Sequence, residues 1–127
     1  MTENDACGVD AIQVILGCSA GKGNLIFRIR GKQAYSFYNR KTGKSVRVVL
    51  KSMPDMVREE RERYLMNHET SELFDVKDTT YTLPERARIF KSVKCEKCGE
   101  MTAESMIRLE DGKKLCLDCY SPYSRSI

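Results

Sequence analysis

The chain has 127 residues and a mass of 14.6 kDa, with 31% charged and 41% hydrophobic residues and a net charge of +4, the size and composition of one ordinary globular domain or a small domain carrying a module. No stretch approaches the roughly 18 unbroken apolar residues of a membrane helix, and no basic, then apolar, then small-residue pattern opens the chain, so neither a membrane nor secretion is expected. Six cysteines without a signal peptide imply a reducing compartment, the cytoplasm, and metal or thiol chemistry rather than disulfides.

The first predicted element is a short helix. Asn4 or Asp5 is placed to cap it, because a side-chain oxygen there can accept from the free amides of the first turn. Val9, Ala11, Ile12, Val14, Ile15 and Leu16 make it apolar on nearly every side, which predicts a buried helix at the centre of the core, stopped by Gly17. The following Gly17–Asn24 stretch resembles a phosphate loop only superficially. It has three residues between the glycines where four are needed, and Gly23 rather than Ser or Thr after Lys22, so a glycine turn is the better reading.

Three strands should follow. Leu25, Phe27 and Ile29 alternate with Ile26, Arg28 and Arg30; Gly31-Lys32 turns the chain into a second strand from Gln33 to Asn39; Lys41-Thr42-Gly43 turns it into a third from Ser45 to Lys51,. An antiparallel meander packed on the first helix gives an α+β fold for residues 1–84. No acidic residue occurs between Asp10 and Asp55, and residues 1–53 balance at +6, so this stretch could meet an anionic partner. Pro54 and Asp55 suit the start of a second helix running to about His68. It carries a narrow stripe of Met56, Val57, Tyr64 and Leu65, with Glu59 placed to pair with Arg63. His68, the only histidine, lies one turn from Tyr64 and reads as a packed or capping residue. Residues 69–84 have no clear period and read as a connection; Arg86 to Lys94 then alternates as a strand would.

The strongest signal is the last. Cys95-Glu96-Lys97-Cys98 is followed after seventeen residues by Cys116-Leu117-Asp118-Cys119, a spacing suited to a four-thiolate zinc site. Two cysteines two residues apart in a tight turn aim both sulfurs at one point, and two such knuckles close a tetrahedron around Zn2+ with sulfur–metal distances of about 2.3 Å. Asp111-Gly112 between the pairs is a hairpin turn. Knuckle, hairpin, knuckle is a zinc ribbon, assigned to residues 85–127 with a core of Ile107, Leu109, Leu115 and Leu117. So small a module needs its metal, whose binding supplies on the order of 10 kcal/mol of folding free energy. Four thiolates leave no open position, so the ion is structural. Thiolates plus zinc also bring the +2 balance of residues 84–127 to about zero, which weakens this module as a phosphate binder.

Cys7 and Cys18 remain. They flank the first helix, roughly 16 Å apart at 1.5 Å per residue, too far to bridge or to share a metal. Cys7 at the helix start is a low-ranking candidate for a second metal site or a reactive thiol. No catalytic constellation is complete in the chain.

The run Glu3-Asn4-Asp5-Ala6-Cys7-Gly8-Val9-Asp10-Ala11-Ile12-Gln13-Val14, then Gly17-Cys18, Gly21-Lys22-Gly23-Asn24-Leu25 and Phe37-Tyr38-Asn39-Arg40-Lys41-Thr42-Gly43-Lys44, closely resembles the FmdE family of formylmethanofuran dehydrogenase components. Cys95-Glu96-Lys97-Cys98-Gly99-Glu100 and Asp111-Gly112-Lys113 before Cys116 are similar to that family's optional zinc-ribbon tail. The resemblance implies an α+β domain, metal binding and a link to one-carbon metabolism of methanogens and related anaerobes. It also implies that other dehydrogenase subunits, or a second copy of the chain in a homodimer, could be partners. Members of the family usually open with a His-Gly-His-x-Cys-Pro-Gly segment that would bring metal ligands beside Cys7. This chain starts after it, which predicts a bared core and self-association. The expected function is therefore a metal-binding accessory protein. The alternative is a zinc-ribbon regulator contacting nucleic acid or RNA polymerase through the ribbon and the basic stretch from Arg28 to Lys51, with Phe27, Tyr35, Phe37 and Tyr38 interleaved.

Overall fold

A computed structural model describes residues 1–125. It is an α+β chain in two compact units, Met1–Ala87 and a second from Arg88 onward.

The first unit is built on a three-stranded antiparallel sheet in the order β1-β2-β3, with β1 at Ala34–Tyr38, β2 at Ser45–Leu50 and β3 at Phe74–Lys77. The first hairpin is the one expected. Tyr35 pairs with Val48 and Phe37 with Val46. The connecting turn closes through the Gly43 N–H, which donates to the Asn39 C=O at 2.8 Å, with Gly43 at φ 72°. The third strand is not the expected one. Residues 74–77 come from the stretch read as a connection, and they pair with β2 through Val48–Val76 and Leu50–Phe74. The expected strand at 25–30 is instead an extended segment. It meets residues 1–4, which lie between it and β1 and are joined to both by isolated bridges at Thr2, to Phe27 and to Tyr35. The Thr2 N–H donates to the Ile26 C=O at 2.8 Å and the Arg28 N–H to the Thr2 C=O at 2.9 Å, while the Glu3 N–H donates to the Ala34 C=O at 3.0 Å.

The polar residues of this bridging segment, Thr2, Glu3 and Asn4, are buried, and each has partners, as burial of polar groups requires. The Thr2 hydroxyl donates to the Asn4 C=O at 2.7 Å, and the Asn4 amide donates to the Lys32 C=O at 2.8 Å. Glu3, only 1% exposed, receives both arms of the Arg47 guanidinium at 2.7 and 2.9 Å. That fork holds the Glu3 carboxyl below its usual range, against the opposing effect of burial,.

Helix α1, Gly8–Leu16, departs from expectation in two ways. Its N-cap is Cys7, without a side-chain hydrogen bond; Asn4 instead accepts from the Ala6 N–H at 3.0 Å, forming a turn ahead of the helix. The helix is also not the buried centre of the core. Only Val9 is buried, while Val14 is 84% and Ile15 78% exposed. A helix apolar on all sides buries only the sides that meet a neighbour, and most of α1 meets none. Gly17 closes it in the left-handed conformation at φ 65°, as expected,.

Helix α2, Arg58–Asn67, starts four residues after Pro54, on an extended Val57. Its ion pair joins Arg58 to Glu62 at 3.1 Å rather than Glu59 to Arg63. His68 closes it, with Nδ1 at 2.7 Å from the Tyr64 C=O and its ring stacked on Tyr64 at 3.9 Å. A single turn, α3 at Thr70–Leu73, carries a capping box between Glu69 and Glu72 and leads into β3,.

The second unit has two hairpins, β4 (Ser92–Lys94) with β5 (Met101–Ala103), and β6 (Arg108–Glu110) with β7 (Lys113–Leu115). Asp111 and Gly112 form the tight turn of the second, with φ of 49° and 77°, the backbone that a two-residue hairpin demands. Its core differs from the expected aliphatic one. Leu109 and Leu117 are exposed, and the buried cluster is Cys95, Leu115 and Cys116, with Cys119 and Tyr120 against it. The centre of this unit is sulfur.

Candidate metal centre

Each Cys-x-x-Cys pair sits in a hydrogen-bonded knuckle. In the first, joining β4 to β5, the Gly99 N–H donates to the Cys95 C=O at 2.9 Å and the Cys95 N–H to the Glu100 C=O at 2.9 Å. Gly99 takes φ 80°, which a residue with a Cβ adopts only under strain. In the second, following β7, the Cys119 and Tyr120 N–H groups donate to the Cys116 C=O at 3.1 and 2.9 Å. The knuckles are tied together. The Glu96 N–H donates to the Lys114 C=O at 2.9 Å, the Glu96 carboxylate accepts from the Lys114 N–H, and the Cys116 N–H donates to the Cys95 sulfur at 3.3 Å.

The result brings Cys95, Cys98, Cys116 and Cys119 to one point, their four sulfurs lying within 4.8 Å of one another. The Cys98 and Cys116 sulfurs are 3.9 Å apart. A tetrahedron with metal–sulfur bonds of about 2.3 Å has edges of about 3.8 Å, whereas a disulfide would need about 2.05 Å. All four cysteines are unbridged. The donor set therefore fits a tetrahedral, thiophilic ion with little movement of the protein.

The electrostatics agree with a site built for a cation. Amide donors from Cys116 and Cys98 bring the Cys95 thiol down to about 6, so one thiolate is ready at neutral pH. Burial, reinforced by the neighbouring Cys116, Cys98 and Cys95 sulfurs, pushes the Cys119 thiol up to about 12. Cys98 is favoured as a thiolate by the Glu100 amide, but its hydrogen bond with Cys95 and partial loss of hydration among the neighbouring sulfurs outweigh this and raise it. Four sulfurs so close together cannot all ionise unless a positive charge sits among them.

The other candidates are placed differently. Cys7 is exposed at the start of α1 and Cys18 half-buried beyond its end. Among the described residues, the gathering of three or more metal-ligating side chains is that of the four C-terminal cysteines, so Cys7 is not joined there by two further ligands. The basic stretch is partly spent inside the fold. Arg47 is paired with Glu3, Arg28 stacks 3.5 Å from the Tyr81 ring, and Arg40 donates to the Pro84 C=O at 3.0 Å. The Tyr38 hydroxyl likewise donates to the Tyr81 C=O at 2.9 Å. Among the described residues, no helix is long and apolar enough to cross a membrane.

Comparison with known proteins adds two findings. Residues 1–108 match the family model described as FmdE, molybdenum formylmethanofuran dehydrogenase operon. A curated protein of Archaeoglobus fulgidus, named a probable S-adenosyl-L-methionine-binding protein, is 29% identical over 97% of this chain. The chain spans 40% of that longer relative.

Proposed function

The chain belongs to the FmdE family, and from that membership we propose that it is a zinc-binding accessory protein of one-carbon metabolism, serving formylmethanofuran dehydrogenase in the cytoplasm rather than catalysing alone. The observation that carries this reading is the convergence of the Cys95, Cys98, Cys116 and Cys119 sulfurs within 4.8 Å. Zinc is the favoured ion because four thiolates in a closed tetrahedron suit it, with iron the competing thiophile. Bound there, the ion would hold the fold of the second unit and would offer no open position for substrate. The residues around it act structurally: the Cys116 amide orients the Cys95 sulfur, and Gly99 lets the first knuckle reverse.

Co-purification tests the accessory role. The tagged chain, expressed with the dehydrogenase subunits of its own source, should retain them on the column, and alone it should not turn over formylmethanofuran. Elution without them, or turnover by the isolated chain, would contradict the proposal. Retention of the chain on DNA or RNA at low salt, lost as salt rises, would instead support a nucleic-acid-binding regulator, a role that the internal engagement of Arg28, Arg40 and Arg47 disfavours.

A further inference from the structure

A cleft of about 650 Å³ opens in the first unit between the turn of the β1–β2 hairpin and the segment that follows β3. Residues from the 38–45 turn make one wall and residues from 79–86 the other. Three side-chain hydrogen bonds tie the walls together. The Tyr38 hydroxyl donates to the Tyr81 C=O at 2.9 Å, the Arg40 guanidinium donates to the Pro84 C=O at 3.0 Å, and the Ser45 and Thr79 hydroxyls lie 2.9 Å apart. The turn is braced from within, since the Asn39 side-chain oxygen accepts from the Lys41 and Thr42 N–H groups at 3.0 and 3.3 Å. The Tyr81 ring is held by Arg28, 3.5 Å from its centre. The hollow is thus built into the fold.

Its charge has one sign. Arg40, Lys44 and Arg86 line the cleft, and no Asp or Glu does. The acids nearest along the chain, Asp78 and Glu85, flank the second wall without lining it. Among the described residues, the Lys44 ammonium and the Arg86 guanidinium make no hydrogen bond or ion pair. Arg40 commits one of its five N–H groups to Pro84,. The Thr80 and Thr82 hydroxyls also line the cleft and likewise have no partner among the described residues.

Three like charges around one hollow repel one another unless an anion joins them. A carboxylate brings one charge and two oxygens, which a single Arg fork satisfies. A phosphate monoester brings close to two charges at neutral pH and three acceptor oxygens, enough to engage several cations and a hydroxyl at once. The cleft is larger than that group alone needs and falls in the size range of small-molecule sites. Tyr38, Tyr81 and Leu83 add aromatic and apolar lining for an organic body.

We propose that this cleft binds a small phosphomonoester metabolite. Arg40, Lys44 and Arg86 hold the phosphate oxygens, Thr80 and Thr82 add hydroxyl donors, and the two tyrosines pack against the organic body. The inference stands apart from the metal centre and the accessory role, so its failure would leave both intact.

Titration calorimetry on the full, metal-loaded chain at about 0.15 M salt tests it, with phenyl phosphate, inorganic phosphate and benzoate as probes. Phenyl phosphate should bind with a Kd below a millimolar, more tightly than inorganic phosphate and roughly tenfold more tightly than benzoate. Lys44 and Arg86 are exposed, so Lys44→Met and Arg86→Met should fold, and each should weaken phenyl phosphate roughly tenfold through loss of one charge-assisted bond. Lys41→Met, in the same turn but outside the lining, should change its affinity by no more than about twofold. Absence of phenyl phosphate binding at millimolar concentration, or equal weakening by Lys41→Met, would overturn the site. Benzoate or inorganic phosphate binding as tightly as phenyl phosphate would overturn the choice of a phosphomonoester. Displacement of phenyl phosphate by an oligothymidylate at micromolar concentration would overturn the metabolite in favour of nucleic acid.

Discussion

Replacement of Glu3 by Gln removes a charge from the most deeply buried ion pair of the first unit and keeps its shape. Glu3 is 1% exposed and the Arg47 side chain 11%, and the two bonds between them are 2.7 and 2.9 Å. Gln can accept one of the two guanidinium bonds, so the cost is that of leaving Arg47 buried without a counter-charge. Breaking one partner of such a pair typically costs about 3–5 kcal/mol; with one bond retained, the lower end, about 3 kcal/mol, is expected. For a unit of this size, 1 kcal/mol moves Tm by about 4–8 °C, so E3Q should melt about 12–24 °C lower. The double replacement Glu3→Leu with Arg47→Met should recover much of that loss, because no charge is left unpaired. The pH dependence has a defined sign. The folded-state pKa of Glu3 lies below its ordinary value of 4.5, so its contribution is complete above pH 4.5 and disappears as pH falls through the folded value. The acid limb of the stability profile should therefore be steeper in the native chain than in E3Q. Thermal melts followed by circular dichroism between pH 3 and 7 check both points. A loss under about 1 kcal/mol, or a double variant less stable than E3Q, would refute the reasoning.

Gly99→Ala should cost about 1–2 kcal/mol, because the nearest atom to a Cβ there is a Lys94 side-chain carbon at 3.6 Å while φ is +80°; Gly99→Asn should cost less, and chelator competition ranks the two. Ile15→Lys should change stability by no more than about 0.5 kcal/mol, since Ile15 is an exposed residue of α1,; a loss of several kcal/mol in urea denaturation would restore the sequence-based view of a buried helix. Metal affinity should fall as pH is lowered, with protons released on binding, because Cys98 and Cys119 are held protonated in the metal-free cluster,; calorimetry in buffers of different ionisation enthalpy counts those protons.

The metal centre was legible because its geometry is local. Each knuckle is set by four or five consecutive residues, and Asp111-Gly112 specifies the turn between them. β1 and β2 were legible for the same reason, alternation closed by a short glycine turn. The bridging segment at residues 1–4 was not, because Thr2, Glu3 and Asn4 read as surface residues until Ile26, Ala34 and Arg47, 24 to 44 positions away, supply their partners. β3 has only four residues, two of them charged, too few to show a period. For α1 the pattern states which residues could be buried, and only the neighbours decide which are.

Native mass spectrometry of the purified chain, beside Cys95→Ser and after chelator treatment, tests the central claim most directly. One zinc per chain is expected, absent from Cys95→Ser, with amide protection from residue 92 to 115 lost once the chelator removes the ion. A chain that carries no metal and keeps that protection unchanged would contradict the account.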